Sequence, residues 1–223
     1  MEYGSWYDVD VTTVVIGGSP VTFRASSPHS SVSLYGSRES DGHSPRLIVQ
    51  YSPPVPLPED YDVYIPTDDA SILMDKENDN FGRDDQLKVD GYGGVYNSLL
   101  RFDLSDVEKG TVEKAILRLY AVDGSPSGGT FVTTTNTEWT QHKVTWATSP
   151  AADGVILATL GEIVPYQWYE IDLSDIVQTL GGEPLSIWVA PSHGQRCAYS
   201  SVEDRLGHLP QLMIKSDLFK DME

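Results

Sequence analysis

The chain has 223 residues and carries 33 acidic against 15 basic side chains, a net charge of -18. Charge of that sign repels phosphate backbones and anionic lipid, which excludes nucleic acid and an acidic membrane surface as partners. The single cysteine, Cys197, excludes an internal disulfide and a cysteine-type zinc site, and no run of 18 apolar residues is present for membrane insertion.

Residues Trp6 to Val11 read WYDVDV, and Trp168 to Leu173 read WYEIDL. The match continues from Gly17-Gly18 to Gly181-Gly182, and from Tyr35, Ser37 and Glu39 to Tyr199, Ser201 and Glu203. It closes at Pro45 and Leu47 against Pro210 and Leu212, while the offset drifts from 162 to 165 as short loop insertions produce. So long a period marks a whole domain used in tandem, not a solenoid unit. Residues 1–52 therefore read as the C-terminal half of a module, 53–60 as a linker, 61–216 as a complete module and 217–223 as a tail.

The half module holds the apolar residues Val9, Val11, Val14, Val21, Phe23, Val32, Leu34, Leu47 and Val49. Alone they leave one side of a sandwich uncovered. The expectation is that further strands upstream complete it in cis. The alternatives are strands from a second chain, or partial disorder. The linker, SPPVPLPED from Ser52 to Asp60, favours a stiff polyproline II spacer.

Beyond it, short runs rich in Val, Ile, Thr and aromatics alternate with turn residues, the pattern of an all-β fold. Strands are predicted at Asp62 to Ile65, Ala70 to Met74, Gln86 to Val89, Asn97 to Asp103, Val112 to Val122 and Thr130 to Thr135. Others follow at Val155 to Thr159, Trp168 to Asp172, Leu185 to Ala190, Ala198 to Ser201 and Pro210 to Lys215. In the longest, Ala115, Leu117, Leu119 and Ala121 take the core face, with Ile116, Arg118 and Tyr120 opposite. Gly91, Gly93 and Gly94 read as a hairpin turn. One helix is predicted at Ser174 to Leu180, capped by Ser174 and ended by Gly181-Gly182. The fold class is an antiparallel β-sandwich.

Several pieces carry a resemblance. They are Asp69-Ala70, Asn80-Phe81-Gly82, the run from Ser98 to Ser105 and Ala115-x-Leu117-x-Leu119. Trp139-Thr140, Val144-Thr145-Trp146, Pro150, Trp168-x-x-x-Asp172, Tyr199-x-Ser201-x-Glu203 and Pro210 complete the set. In their order and spacing the chain resembles the DNRLRE domain, related to carbohydrate-binding module family 96. The resemblance implies a jelly roll, an extracellular or cell-surface location, neighbouring modules of the same kind, and acidic polysaccharides or cell-surface glycans as partners. One departure stands out: the first copy reads Ser37-Arg38-Glu39-Ser40, the second Ser201-Val202-Glu203-Asp204. Arg205 lies close enough to replace the lost arginine.

Two constellations are candidates for binding. The run DKENDNFGRDD offers hard oxygen ligands, so Asp69, Asp75, Glu77, Asp79 and Asn80 are candidate ligands for a structural Ca²⁺. It is not an EF-hand, since Gly82 comes two places late and no glutamate holds the twelfth position. A solvated acidic loop is the alternative. Arg101 lies between Leu100 and Phe102, so alternation turns it away from the core. A glycan face is expected around Arg101, with Tyr96, Arg118, Tyr120, Tyr199 and Glu203, because guanidinium groups fork onto carboxylates and tyrosines stack on sugar rings. The alternative is a structural arginine paired with Asp103 or Glu203. Trp139, Trp146, Trp168 and Trp188 are expected in the core, and Cys197 as a buried thiol. The five histidines form no HExxH pair, and no GxSxG elbow occurs. The reading is a non-catalytic polysaccharide-binding module in a tandem-repeat protein. A structural or adhesive repeat without a sugar site is the alternative.

Overall fold

A computed structural model describes residues 6–9, 11, 22–26, 34–40, 44–47 and 60–216. The chain forms two compact units, Met1–Pro56 and Leu57–Glu223. Most of the expected linker, the tail and the apolar residues Val14, Val21, Val32 and Val49 lie outside the described residues.

In the second unit the strands are β1 (Asp62–Tyr64), β2 (Asp68–Leu73), β3 (Gln86–Val89), β4 (Tyr96–Phe102), β5 (Val112–Asp123) and β6 (Gly129–Thr133). After them come β7 (Ile156–Leu160), β8 (Trp168–Asp172), helix α1 (Ser174–Leu180), β9 (Leu185–Ala190), β10 (Cys197–Ser200) and β11 (Gln211–Ser216). One sheet runs β1-β11-β5-β10-β3, with β8 on the other side of β5; the second runs β2-β4-β9-β6-β7. All described pairings are antiparallel. No helix among the described residues is long and apolar enough to cross a membrane.

The predicted alternation sets the core. Leu87, Leu100, Phe102, Leu117, Leu119, Phe131, Ile187 and Tyr199 pack between the sheets. Strand β5 is the hub of its sheet, because β8, β10 and β11 all pair with it. Leu117 lies between Ile171 of β8 and Leu212 of β11. The predicted glycine turn forms, closed by Asp90 and Tyr96 through bonds of 3.1 and 2.9 Å. It is not an ordinary hairpin, since β3 and β4 belong to different sheets. At α1 the cap residue is Leu173, not Ser174. The Ser174 hydroxyl instead accepts the Ala115 amide at 3.0 Å and donates to Asp172.

The first unit keeps the local structure of the repeat. In the Ser37–Ser40 turn, Ser40 N donates to Ser37 O at 3.0 Å, Ser37 Oγ to Glu39 Oε2 at 2.9 Å, and Glu39 N to Ser37 Oγ at 3.3 Å. The same bonds recur at Ser201, Glu203 and Asp204, at 3.1, 3.2 and 3.1 Å. Trp6–Val9 and Leu34–Gly36 form no strand, although their counterparts in the second unit do.

Candidate functional site

One row of opposed residues crosses the whole second sheet: Ala70, Leu99, Trp188, Val132 and Ile156. Directly opposed residues share a face, here the one turned away from the main core. Trp139, Val144 and Trp146 fold over the first part of it, making a second apolar cluster with Ala70, Ile72 and Leu99. The Trp139 indole donates to Ser186 Oγ at 2.9 Å. Of the expected core tryptophans, Trp139 is buried, while Trp146, Trp168 and Trp188 are half-buried.

The Asn80-Phe81-Gly82 motif fastens that cover to the acidic loop. Asn80 Nδ2 donates to the carbonyls of Gln141 and Val144, both at 2.6 Å. A Cβ at Gly82 would stand 1.9 Å from the Gln141 carbonyl oxygen, so only glycine fits. Asn80 is thus a clamp in this structure. Asp75, Glu77 and Asp79 are exposed, and Asp79 pairs with Lys76 at 3.8 Å. Among the described residues no three His, Cys, Asp or Glu side chains gather as metal donors. Asp69, by contrast, is buried, and its amide donates to Gln141 Oε1 at 3.3 Å.

Asp69 instead anchors the turn that holds Glu203. Its Oδ2 accepts the Val202 amide at 2.8 Å. No donor reaches Oδ1. Burial pushes the carboxyl up to about 8; the Val202 amide opposes this, while Glu203 and Asp68 add to it. Burial therefore favours the protonated form of this carboxyl. Gln141 ties the group together: its amide N donates to Asp68 Oδ1 at 2.9 Å and its Nε2 to Glu203 Oε1 at 2.7 Å.

Beside this turn lies a groove of about 590 Å³, lined by Arg83, Asp84, Asp85, Lys88, Glu203 and Arg205. Lys88 bonds Asp84 at 2.9 Å, and its ammonium lies 5.7 Å from the centre of the Tyr96 ring. Phe81 meets Tyr96 edge-on at 6.2 Å. The complete module has five arginines. Arg101, Arg118 and Arg196 are paired with Asp68, Glu170 and Asp123 at 2.8, 3.1 and 2.8 Å. Arg83 and Arg205 pair with no carboxylate among the described residues, and both line this groove.

Residues 60–216, nearly the whole second unit, match carbohydrate-binding module family 96. The chain belongs to that family. It is a family of non-catalytic carbohydrate-binding modules. No curated protein matches the chain.

Within this family 96 module the predicted glycan face does not assemble on one surface. Arg101 stands on β4 of the second sheet, whereas Arg118 and Tyr120 stand on β5 of the first. Arg101 is a paired arginine, but its partner is Asp68 rather than Asp103 or Glu203. Arg118 lies 4.8 Å over the Trp168 ring, and Tyr120 stacks on His208 at 4.0 Å. Tyr199 is in the core; its hydroxyl donates to the Gly128 carbonyl at 2.8 Å, and burial raises its pKa. Cys197 is buried as expected, and burial pushes its thiol up to about 12. Only Glu203 lines the groove itself, with Tyr96 beside Lys88. Arg83, Lys88, Arg205 and Gln141 were not among the expected ligand residues. Their signal was in the sequence: Arg83 and Lys88 interrupt the acidic run, and Arg205 follows the point where the repeat loses Arg38.

Proposed function

We propose that the groove at Arg83, Lys88 and Arg205 binds an acidic polysaccharide, with the uronate carboxylate held by the two arginines. The observation that carries this is that, among the described residues, neither arginine pairs with a carboxylate, on a chain of net charge -18. An arginine without a carboxylate in so acidic a protein is kept available for an external anion. Distant acidic groups do not cancel it, because screening removes their field beyond about 8 Å. Asp85 and Glu203 supply acceptors for sugar hydroxyls, and the Tyr96 ring adds an aromatic surface nearby. A uronic acid presents both hydroxyl donors and a carboxylate, so it matches the mixed lining better than a neutral sugar. The module acts without catalysis, as one repeat of an extracellular protein.

The test is titration calorimetry with oligo-uronates and neutral oligosaccharides of equal length. Binding to the acidic series alone is expected, weakened about tenfold by Arg83→Ala or Arg205→Ala, the loss of one charge-assisted contact. Equal affinity for the neutral series, or unchanged binding in both variants, rejects the groove. Silence across both series favours a structural repeat without a sugar site.

A further inference from the structure

Glu203 is fixed in the groove as a hydrogen-bond acceptor. The side-chain amide of Gln141 decides this, because three contacts set its orientation at once. Its Oε1 accepts the Asp69 amide at 3.3 Å, while its Nε2 donates to the Gly82 carbonyl at 3.3 Å and to Glu203 Oε1 at 2.7 Å. Turning the amide over would set oxygen against oxygen at Gly82 and NH₂ against N–H at Asp69. Glu203 therefore meets a donor on its protein side. The backbone around it is held as well: Val202 N donates to Asp69 Oδ2 at 2.8 Å, and Glu203 N to Ser201 Oγ at 3.1 Å.

The same residues brace the groove across its width. Gln141 reaches both Gly82, the neighbour of Arg83, and Glu203, two residues before Arg205. Ser201 N and Oγ donate to the carbonyls of Asp85 and Asp84 at 3.2 and 2.7 Å. Glu203 and the two arginines are thus carried on one cross-braced frame. Charge in the groove is balanced: three cations and three carboxylates line it, and Lys88 already pairs with Asp84 at 2.9 Å. Such a lining matches one carboxylate accompanied by neutral hydroxyl donors. A sulfated chain would set its extra charge against Asp85 and Glu203. An ionised carboxylate accepts hydrogen bonds and donates none, so a group that reaches Glu203 from the groove must donate.

We propose that Glu203, positioned by Gln141, reads unsubstituted hydroxyls, so that the groove selects uronate chains with free ring hydroxyls and rejects their O-acetylated and O-sulfated forms. This rests on the reading of the groove as the polysaccharide site. An acetyl or sulfate ester replaces the hydroxyl hydrogen with acceptor oxygens, which leaves Glu203 facing oxygen with no proton between them. The arginines read the carboxylate and Glu203 reads the hydroxyls, so the two specificities are separable.

The test is titration calorimetry on the full chain with oligo-uronates of one length, either unsubstituted, O-acetylated, O-sulfated or methyl-esterified at the carboxylates. O-acetylation and O-sulfation are each expected to weaken binding at least about tenfold, the loss of one hydrogen bond to a charged acceptor. Glu203→Gln keeps the shape but carries NH₂ in place of one acceptor oxygen. It should weaken the unsubstituted form about tenfold and bring it within about threefold of the acetylated one. Gln141→Leu should narrow the same gap while the loss on methyl esterification persists, which a general loosening of the groove would not produce. Equal affinity for the acetylated or sulfated form overturns the proposal, as does a gap that survives Glu203→Gln. Equal affinity for the methyl-esterified form, with the acetyl gap intact, upholds Glu203 as the reader of hydroxyls and removes the arginine–carboxylate contact instead. Binding of none of these forms overturns both.

Discussion

Replacing Asp69 by Asn tests whether a buried, protonated carboxyl holds the Val202–Glu203 turn. The unfolded chain releases this proton near 3.8, the folded chain at about 8. Between those values the folded state binds one more proton than the unfolded state. The stabilisation is therefore complete below pH 4 and is lost as pH rises through 8. The slope is at most roughly 1.4 kcal/mol per pH unit, so the wild type loses at most about 4 kcal/mol from pH 5 to pH 8 through this group. Asn keeps an acceptor for the Val202 amide but does not titrate. Urea denaturation of wild type and Asp69→Asn at pH 5, 6, 7 and 8 gives the difference directly. Every other group is common to the two proteins, so the comparison isolates position 69. The variant is expected to gain on the wild type steadily as pH rises. Parallel stability curves would show that Asp69 is ionised in the folded protein and refute the reasoning.

Trp139→Ala should cost about 3–5 kcal/mol by emptying the second apolar cluster, and Trp139→Phe about 1–3 kcal/mol by leaving Ser186 Oγ without its donor; urea midpoints read both. Asn80→Ala removes two hydrogen bonds to the Gln141–Val144 segment and should cost about 1–3 kcal/mol, with faster proteolysis at that segment. Calcium at Asp75, Glu77 and Asp79 is a proposal that expects a melting temperature raised by calcium, lowered again by EDTA and made insensitive by Asp79→Asn. An unchanged melting temperature in calcium and EDTA rejects it.

Strand positions were legible because burial on one face writes a period of two into the chain. Ala115, Leu117, Leu119 and Ala121 announced β5 and its core face without any other information. Which sheet a strand joins was not legible. Leu100-Arg101-Phe102 and Leu117-Arg118-Leu119 look alike in sequence, yet they stand on opposite sheets. Antiparallel partners are chosen by contacts between distant residues, and alternation carries no trace of them. The acidic run shows a related limit of sequence spacing. Ligand-type residues spaced along a loop form a metal site only if the backbone converges them, and spacing does not show that Asn80 Nδ2 donates to the Gln141 and Val144 carbonyls. The groove escaped notice because Arg83 and Arg205 lie far apart in the chain and meet only through the turn that Asp69 holds. The family pattern, by contrast, was readable from motif order alone, and the match over residues 60–216 agrees with it.

The pairing of β1 with β11 has a mechanical consequence. Asp62, at the start of the module, is opposite Ile214, close to its end, and the two strands run antiparallel. A tensile load applied through residues 61 and 217 therefore enters at one end of a single ladder and opens it rung by rung. Strands loaded in shear must break all their rungs together; these do not. The ion pairs of Lys215 with Asp60 and Glu113, at 3.1 and 3.2 Å, stand at the mouth of that zipper. Under tension the module should yield first by peeling β1, lengthening the tether while β5 and the groove stay folded.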